Sequence, residues 1–335
     1  MNFVRKILFP IVPIYYLVTW LRNLCYDIGI FKSKSYNFPI ICVGNLSSGG
    51  TGKTPMIEYL IRLLKNDFKI ATLSRGYKRN TKGFYIAGEN SSAEKIGDEP
   101  FQFYQKFRDI VVSVDGNRQN GITQLRQLQN TPEIILLDDG FQHRKVNAGL
   151  KILLTTYAKL YVDDFTLPTG SLREPKAGAK RADIIVVTKC PNGLEESKRK
   201  EIIVRLKPLS TQAVFFSAIK YSETIFSSQT KKCLIDIKDN KFTLVTAIAN
   251  PKPLLNFLDG CGYNYEHLNF KDHHIFSESE LKFLNSKPLI LTTEKDYTRL
   301  KDTINEERLF YLPIEIEISN KEKFDNLINK YVSIS

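Results

Sequence analysis

The sequence predicts an α/β fold in which a parallel sheet carries helices on both faces. Three observations predict it. Short apolar runs at 38–45, 69–73, 110–114, 134–137, 150–154 and 184–188 alternate with stretches of helical periodicity. One run leads directly into a glycine-rich loop and then a helix. Another ends in two adjacent carboxylates.

The first run, "FPIICVGN" (38–45), is bounded by Pro39 and Gly44 and reads as a buried strand. The loop that follows, "LSSGGTGKTP", closes with Gly52, Lys53 and Thr54, as in G-x-x-x-x-G-K-[ST]. The opening glycine of that pattern is replaced by Ser47. Glycine is required only where φ is positive, so serine suffices if the chain enters extended. Next, "PMIEYLIRLLK" sets Met56, Ile57, Leu60, Ile61 and Leu64 on one helical face. Pro55 falls in the first turn, where no N–H loses a partner. Strand, loop and helix in this order describe a P-loop NTPase-like domain. Ser48, Gly49, Gly50, Thr51, Gly52, Lys53 and Thr54 are the candidate nucleotide-binding residues, with backbone N–H groups converging on phosphate. Lys53 is expected at the β- and γ-phosphates, and the Thr54 hydroxyl on Mg²⁺.

The run "EIILLDDG" supplies the second part. A carboxylate after a hydrophobic strand is the usual Mg²⁺ partner in such enzymes, so Asp138 and Asp139 join Thr54 as candidate metal residues. Read alone, Asp-Asp-Gly is also a plain turn. The choice of nucleotide rests on "VVTKCP": Thr188 and Lys189 begin a guanine-reading N/T-K-x-D string, but Pro191 stands where its aspartate belongs. ATP is therefore expected.

Of the 335 residues, 42 % are hydrophobic and 25 % charged, which describes a globular chain long enough for two domains. Its net charge of +12 suits nucleic acid, an anionic membrane or phosphorylated substrates. Nothing resembles an RRM, a helix-turn-helix or zinc spacing, so no nucleic-acid partner is expected. The five cysteines are scattered without a C-x-x-C, against a disulfide framework or zinc site and for a reducing compartment.

Residues 1–36 carry five basic side chains and one acid. Their uncharged stretch from 7 to 21 is shorter than the about 20 residues a bilayer span needs, and Pro10 and Pro13 interrupt it. No small-residue cleavage site follows. Ile14, Leu17, Val18, Leu21, Leu24, Cys25 and Ile28 recur at helical spacing, flanked by Tyr15, Tyr16, Trp20 and Arg22. A basic, aromatic-flanked amphipathic helix suits the surface of an anionic membrane. The same stripe would also serve to cover the protein's own core.

Several further strings do not follow from P-loop logic: "LSRGYKR" (73–79), "GDEPFQF" (97–103), "DDGFQHR" (138–144), "TGSLREP" (169–175), "DHH" (272–274) and "TTEKD" (292–296). With "VGNLSSGGTGKTP", and in this order, they resemble the tetraacyldisaccharide 4'-kinase family, from the N-terminal segment to about residue 300. The resemblance implies transfer of the ATP γ-phosphate to the 4'-hydroxyl of a lipid-linked disaccharide 1-phosphate, at the cytoplasmic face of the inner membrane by a peripheral protein. It also implies two α/β/α domains joined by a two-stranded linker. On that basis residues 1–36 form a membrane-surface segment and 37–212 the P-loop kinase domain. The linker is expected at 213–240 and a smaller C-terminal α/β domain at 241–335, with a Ser277/Glu280 capping box.

Asp98, by itself a turn aspartate, matches the family's catalytic base, and "DHH" supplies its partner. The motif match favours His273 over His274, and Lys53 completes the catalytic set. Arg75, Arg118 and Arg173, in loops after strands or in the quoted strings, are candidate phosphate clamps. His143 reads either as a core residue or as a phosphate contact. "REPKAGAKR" (173–181) has four basic residues against one acid and suits anionic headgroups. A membrane-bound P-loop ATPase switch shares the loop and the acids but needs neither Asp98 nor "DHH". Acceptor-dependent turnover separates the two.

Overall fold

The computed structural model describes residues 9–272 and 274–334. They divide into two compact units, one formed by the described residues up to 219 with those from 316 onward, and the other by those within 220–315.

In chain order the first unit begins with helix α1 (Val12–Asp27), strand β1 (Ile40–Asn45), helix α2 (Lys53–Leu64) and strand β2 (Ile70–Ser74). The short β3 (Tyr85–Ile86) and α3 (Ala93–Ile96) precede α4 (Asp98–Lys106), β4 (Val111–Val114), α5 (Arg118–Arg126) and β5 (Ile134–Asp138). Then come β6 (Leu150–Thr156), β7 (Ile184–Cys190), α6 (Glu196–Leu206) and β8 (Ala213–Tyr221). The chain leaves for β9 (Thr224–Phe226), β10 (Lys231–Cys233), β11 (Phe242–Thr246), α7 (Lys252–Gly260) and β12 (Tyr265–Asn269). After α8 (Glu278–Asn285), β13 (Ile290–Thr293), α9 (Glu294–Leu300) and β14 (Leu309–Leu312), it returns through β15 (Ile314–Ile318) and α10 (Lys321–Ile334).

Among the described residues the first sheet has nine strands in the order β15-β8-β7-β6-β1-β5-β2-β4-β3. From β8 to β4 neighbours run parallel, and β3 is antiparallel. Alternate side chains feed two cores, as the period of a strand requires. Val43, Leu136, Ile152 and Val186 pack under Met56, Leu60, Phe103 and Phe324 from α2, α4 and α10. On the opposite face, α5 places Ile122 and Leu125 on Ile40, Leu73, Ile135 and Leu137. Beside it α6 places Ile202 and Leu206 on Leu153, Ile185 and Val187. Helices thus cover both faces, as expected.

The second sheet is ordered β10-β9-β14-β13-β11-β12, parallel from β14 to β12 and antiparallel at β9 and β10. It too is covered on both sides, by α7 on Leu244 and Leu291 and by α8 and α9 on Val245 and Ile290. The expected capping box is present: Ser277 Oγ accepts from the Glu280 N–H, and the Glu280 carboxylate accepts from the Ser277 N–H.

Two expected boundaries need correction. Within segment 213–240, β8 does not pair with β9 or β10 as a two-stranded linker. β8 belongs to the first sheet, whereas β9 and β10 belong to the second. β8 pairs with β7 on one side and, on the other, with β15, about a hundred residues on in sequence. Nor does the C-terminal domain reach residue 335, because β15 and α10 return to the first unit. Phe324 stacks edge-on against Phe215 with centroids 5.1 Å apart, and the Tyr59 hydroxyl donates to Asp325 at 2.6 Å. The Tyr331 hydroxyl donates to the Ile40 carbonyl at 3.2 Å, tying α10 to the root of β1.

Helix α1 carries Pro13 in its first turn, where proline is tolerated, and Pro10 lies in a short 3-10 turn (Phe9–Ile11) before it. Its apolar stripe does not enter the core: Ile14, Leu17 and Val18 are 64, 58 and 60 % exposed. The polar side is docked instead. Asn23 is buried and donates to Glu174 Oε2 at 2.7 Å, and Arg22 donates to the Gln142 carbonyl at 2.9 Å. Among the described residues no helix is long and apolar enough to cross a membrane. Arg5 and Lys6 lie outside the described residues.

Candidate active site

β1 and β5 are neighbours, with Val43 opposite Asp138, so the glycine-rich loop and the two acids leave the sheet at adjacent carboxyl ends. From β1 the chain runs to β2 on one side, while from β5 it passes to β6 on the other. Open α/β sheets bind ligands at such a switch point.

The loop takes its shape from Gly49 and Gly52, with φ of +120° and +89°. Gly52 sits in the left-handed region as the N-cap of α2, and no side chain caps that end. The first-turn N–H groups are therefore presented to an anion. Ser47 does not have positive φ and makes an isolated bridge to Leu172, which explains why no glycine is needed there. The 171–173 stretch braces the loop: the Ser48 N–H donates to the Ser171 carbonyl and the Arg173 N–H to the Leu46 carbonyl, both at 2.7 Å.

Lys53 reaches Asp139 at 3.8 Å. Arg173 grips the same carboxylate with both terminal nitrogens, Nη1 to Oδ2 at 2.9 Å and Nη2 to Oδ1 at 2.8 Å. Arg173 Nη2 also bonds Asn45 Oδ1, and Asn45 Nδ2 donates to Thr51 Oγ1 at 2.7 Å. Burial pushes the Asp139 carboxyl up, but the Arg173 hydrogen bonds and the Lys53 and Arg173 charges outweigh it and hold it at about 2. Asp138 behaves in the opposite way. Burial, which outweighs the nearby Lys53, raises it to about 6. Its Oδ2 accepts from Ser74 Oγ at 3.3 Å, whereas buried Oδ1 has no hydrogen-bond partner. An orphaned carboxylate oxygen fits a hard cation. Among the described residues no group of three or more His, Cys, Asp or Glu forms a ready-made cage. The adjacent Asp138 and Asp139 carboxylates suit Mg²⁺, which takes one or two carboxylates and completes its shell with water and substrate phosphate.

The other expected residues distribute unevenly. Arg118 is 2 % exposed and donates to the main-chain carbonyls of Asp115 and Asp138, so it fixes the β4 and β5 ends rather than opening to solvent. Burial, outweighing the nearby Asp138 and Asp139, lowers its guanidinium to about 10. His143 is pushed down to about 4 by burial and by the Arg118 and Arg75 charges, and is neutral at pH 7. Exposed Arg75 lines a bowl of about 590 Å³ with Lys78, Arg79, Lys82, Asp115 and Asn117.

Asp98 opens α4 directly after Gly97, whose φ is +95°. The helix is fixed to the P-loop helix through buried Glu58, which accepts from Gln102 Nε2 at 2.9 Å and Lys106 Nζ at 2.7 Å. His273 lies outside the described residues. His274 is occupied locally: it stacks on Phe270 at 4.8 Å and meets the Glu280 carboxylate at 3.0 Å.

Asn45, Glu58, Glu99, Gln142 and Glu174 were not anticipated. Glu99 adjoins Asp98 in the quoted string, and its charge helps to raise Asp138. Buried Glu174 accepts from Arg181, Asn23 and Gln142, and Gln142 also donates to the Asn45 carbonyl at 2.8 Å. The strings "DDGFQHR" and "TGSLREP" contained both residues, but nothing in their spacing indicated that they meet.

The chain is similar to known proteins along nearly its whole length. The family model described as tetraacyldisaccharide-1-P 4'-kinase matches residues 4–333. The chain is 53 % identical to the tetraacyldisaccharide 4'-kinase of Flavobacterium johnsoniae, over 99 % of this chain and 98 % of that one. To the enzyme of the same name from Flavobacterium psychrophilum it is 49 % identical, over 100 % and 99 %. The crystal structure of LpxK from Aquifex aeolicus in complex with ATP superposes with a TM-score of 0.79 at 29 % identity, covering 98 % of this chain and 99 % of that one.

Proposed function

The chain belongs to the tetraacyldisaccharide-1-P 4'-kinase family, and from that premise we propose how its residues move the ATP γ-phosphate to the 4'-hydroxyl of a lipid disaccharide 1-phosphate. The observation that carries the proposal is the meeting of Lys53, the orphaned Asp138 oxygen and the Arg173–Asp139 pair at the ends of β1 and β5. Triphosphate binds at the N-terminus of α2, where the loop N–H groups and Lys53 face it. Asp138 and the Thr54 hydroxyl would hold Mg²⁺, with Asp139 beside them. The ion supplies charge neutralisation between the phosphates. Lys53 exchanges its partner Asp139 for phosphate as the nucleotide enters. Arg173 keeps Asp139 ionised and Asn45 in place, so the loop is preorganised when charge develops on the transferred group.

The acceptor's 4'-hydroxyl needs a positioned proton acceptor. We assign that role to Asp98, with His273 as the second residue of the catalytic pair. The engagement of His274 with Glu280 supports choosing His273. The basic bowl with Arg75, Lys78 and Lys82 suits the substrate's 1-phosphate. The exposed apolar face of α1 suits insertion into an anionic leaflet, giving a peripheral enzyme on the cytoplasmic face of the inner membrane. Burying four of its aliphatic side chains is worth roughly 6–12 kcal/mol before ordering costs.

Single alanine changes at Asp98 and His273 test the base assignment. Each should lower kcat by about 10²–10⁴-fold, with ATP affinity unchanged. The double change should be little worse than either single one, since residues acting as a unit are not additive. Additive losses that track thermal stability would remove the pair from the chemistry.

A further inference from the structure

We propose that Lys189 is a nucleotide-binding residue whose ammonium takes the oxygens at the nucleoside end of ATP, the α-phosphate and ribose. This rests on the reading of the P-loop as the ATP site. At the end of β7 the pairing with β8 slips between Val187 and Cys190, and Lys189 has a φ of +57°. Left-handed backbone is unfavourable for a lysine, and a bulge that re-aims a side chain is a recurring feature of functional sites. The side chain is directed at the phosphate loop: a Cβ on Gly50 would stand 3.7 Å from Lys189 Nζ. The preceding residue fixes the approach. Buried Thr188 donates its hydroxyl to the Thr51 carbonyl at 2.8 Å, joining the end of β7 to the loop.

Among the described residues no carboxylate or hydrogen-bond acceptor meets this ammonium, and burial alone lowers its pKa. A half-buried cation over a phosphate loop, with no partner among the described residues, suits a ligand anion. Topology indicates which end of the ligand. The acids close β5 on one flank of β1, whereas β7 lies beyond β6 on the other. A triphosphate whose γ end meets Lys53 and Asp138 has its nucleoside end toward β7. Thr188 and Lys189 are the half of the guanine-type string that precedes the base-reading position, and Pro191 supplies no carboxylate. Lys189 therefore holds parts that all nucleotides share and does not select the base.

The test measures ATP, ADP and AMP affinity for wild type, Lys189→Met and Lys189→Gly. Glycine suits the positive φ, so Lys189→Gly keeps its melting temperature and isolates the loss of the ammonium. Both variants should bind all three nucleotides about 10-fold more weakly. Their kcat at saturating ATP should stay within about 3-fold of wild type, because the transferred phosphoryl group is untouched. Lys53→Met should weaken ATP and ADP but leave AMP unchanged. Unaltered affinities in the folded Lys189 variants, or a loss confined to ATP, would overturn the assignment. A wild-type protein that binds none of the three would contradict the ATP site itself and not Lys189 alone.

Discussion

The Tyr15 hydroxyl donates a 3.0 Å hydrogen bond to the main-chain carbonyl of Arg173, the residue whose guanidinium holds both oxygens of Asp139. The helix with the exposed apolar stripe is thereby attached to the Arg173–Asp139 pair. Tyr15→Phe removes only the hydroxyl. One such hydrogen bond is worth about 1 kcal/mol, so kcat should fall about 5-fold while vesicle binding stays unchanged. Steady-state kinetics and vesicle flotation on the same preparation check both halves.

The apolar stripe itself is tested separately. Leu17 and Val18 are exposed and pack on no core, so Leu17→Asp with Val18→Asp should leave the melting temperature within about 2 °C of wild type, a surface-level effect. Flotation with vesicles containing anionic phospholipid should be lost, and transfer to a detergent-dispersed acceptor retained. Retained flotation would show that α1 does not anchor the protein.

Arg173→Lys probes the clamp on Asp139. Lysine keeps the charge but cannot form two parallel bonds to one carboxylate. Loss of a charge-assisted bond of about 1.5–3 kcal/mol should lower kcat/KM by about 10–100-fold. Asp139→Asn should do the same, and the double variant should resemble either single one. Equal and additive losses would mean that the two residues act apart.

Acid stability tests the loop that carries the "DHH" string. The Ser277 N–H first, then the His274 and Ser277 side chains, hold the Glu280 carboxyl at about 2, down from 4.5. A carboxylate lowered on folding stabilises above its unfolded value, and that contribution disappears as pH falls through the folded one. Wild type should therefore melt higher than Glu280→Gln just above pH 4.5, and the margin should close as pH falls toward 2. A margin independent of pH would contradict the pairing.

Strand positions and the loop–helix junction were legible in the sequence because buried strands and a P-loop have strong local patterns. β1, β2 and β5 to β7 fall within two residues of the apolar runs, and the Ser277–Glu280 capping box is where the spacing put it. Periodicity marks the apolar side of a helix but not its neighbour. It therefore gave no sign that Phe324 would pack on Phe215 in the first unit, nor that α1 would dock by its polar side. Contacts such as Asn23 to Glu174 join residues 151 positions apart, and no local pattern encodes them. Arg118 shows the remaining gap: a loop arginine in sequence, it is buried on backbone carbonyls in the fold.

The central claim is phosphoryl transfer to a lipid disaccharide at the junction of β1 and β5. The most direct measurement follows γ-labelled ATP in the presence and absence of the disaccharide 1-phosphate, for wild type and Lys53→Ala. The account predicts label on the acceptor's 4'-oxygen, negligible ATP turnover without acceptor, and a loss of about 10²-fold or more in Lys53→Ala. Release of labelled phosphate at the same rate without acceptor, or full transfer by Lys53→Ala, would contradict it.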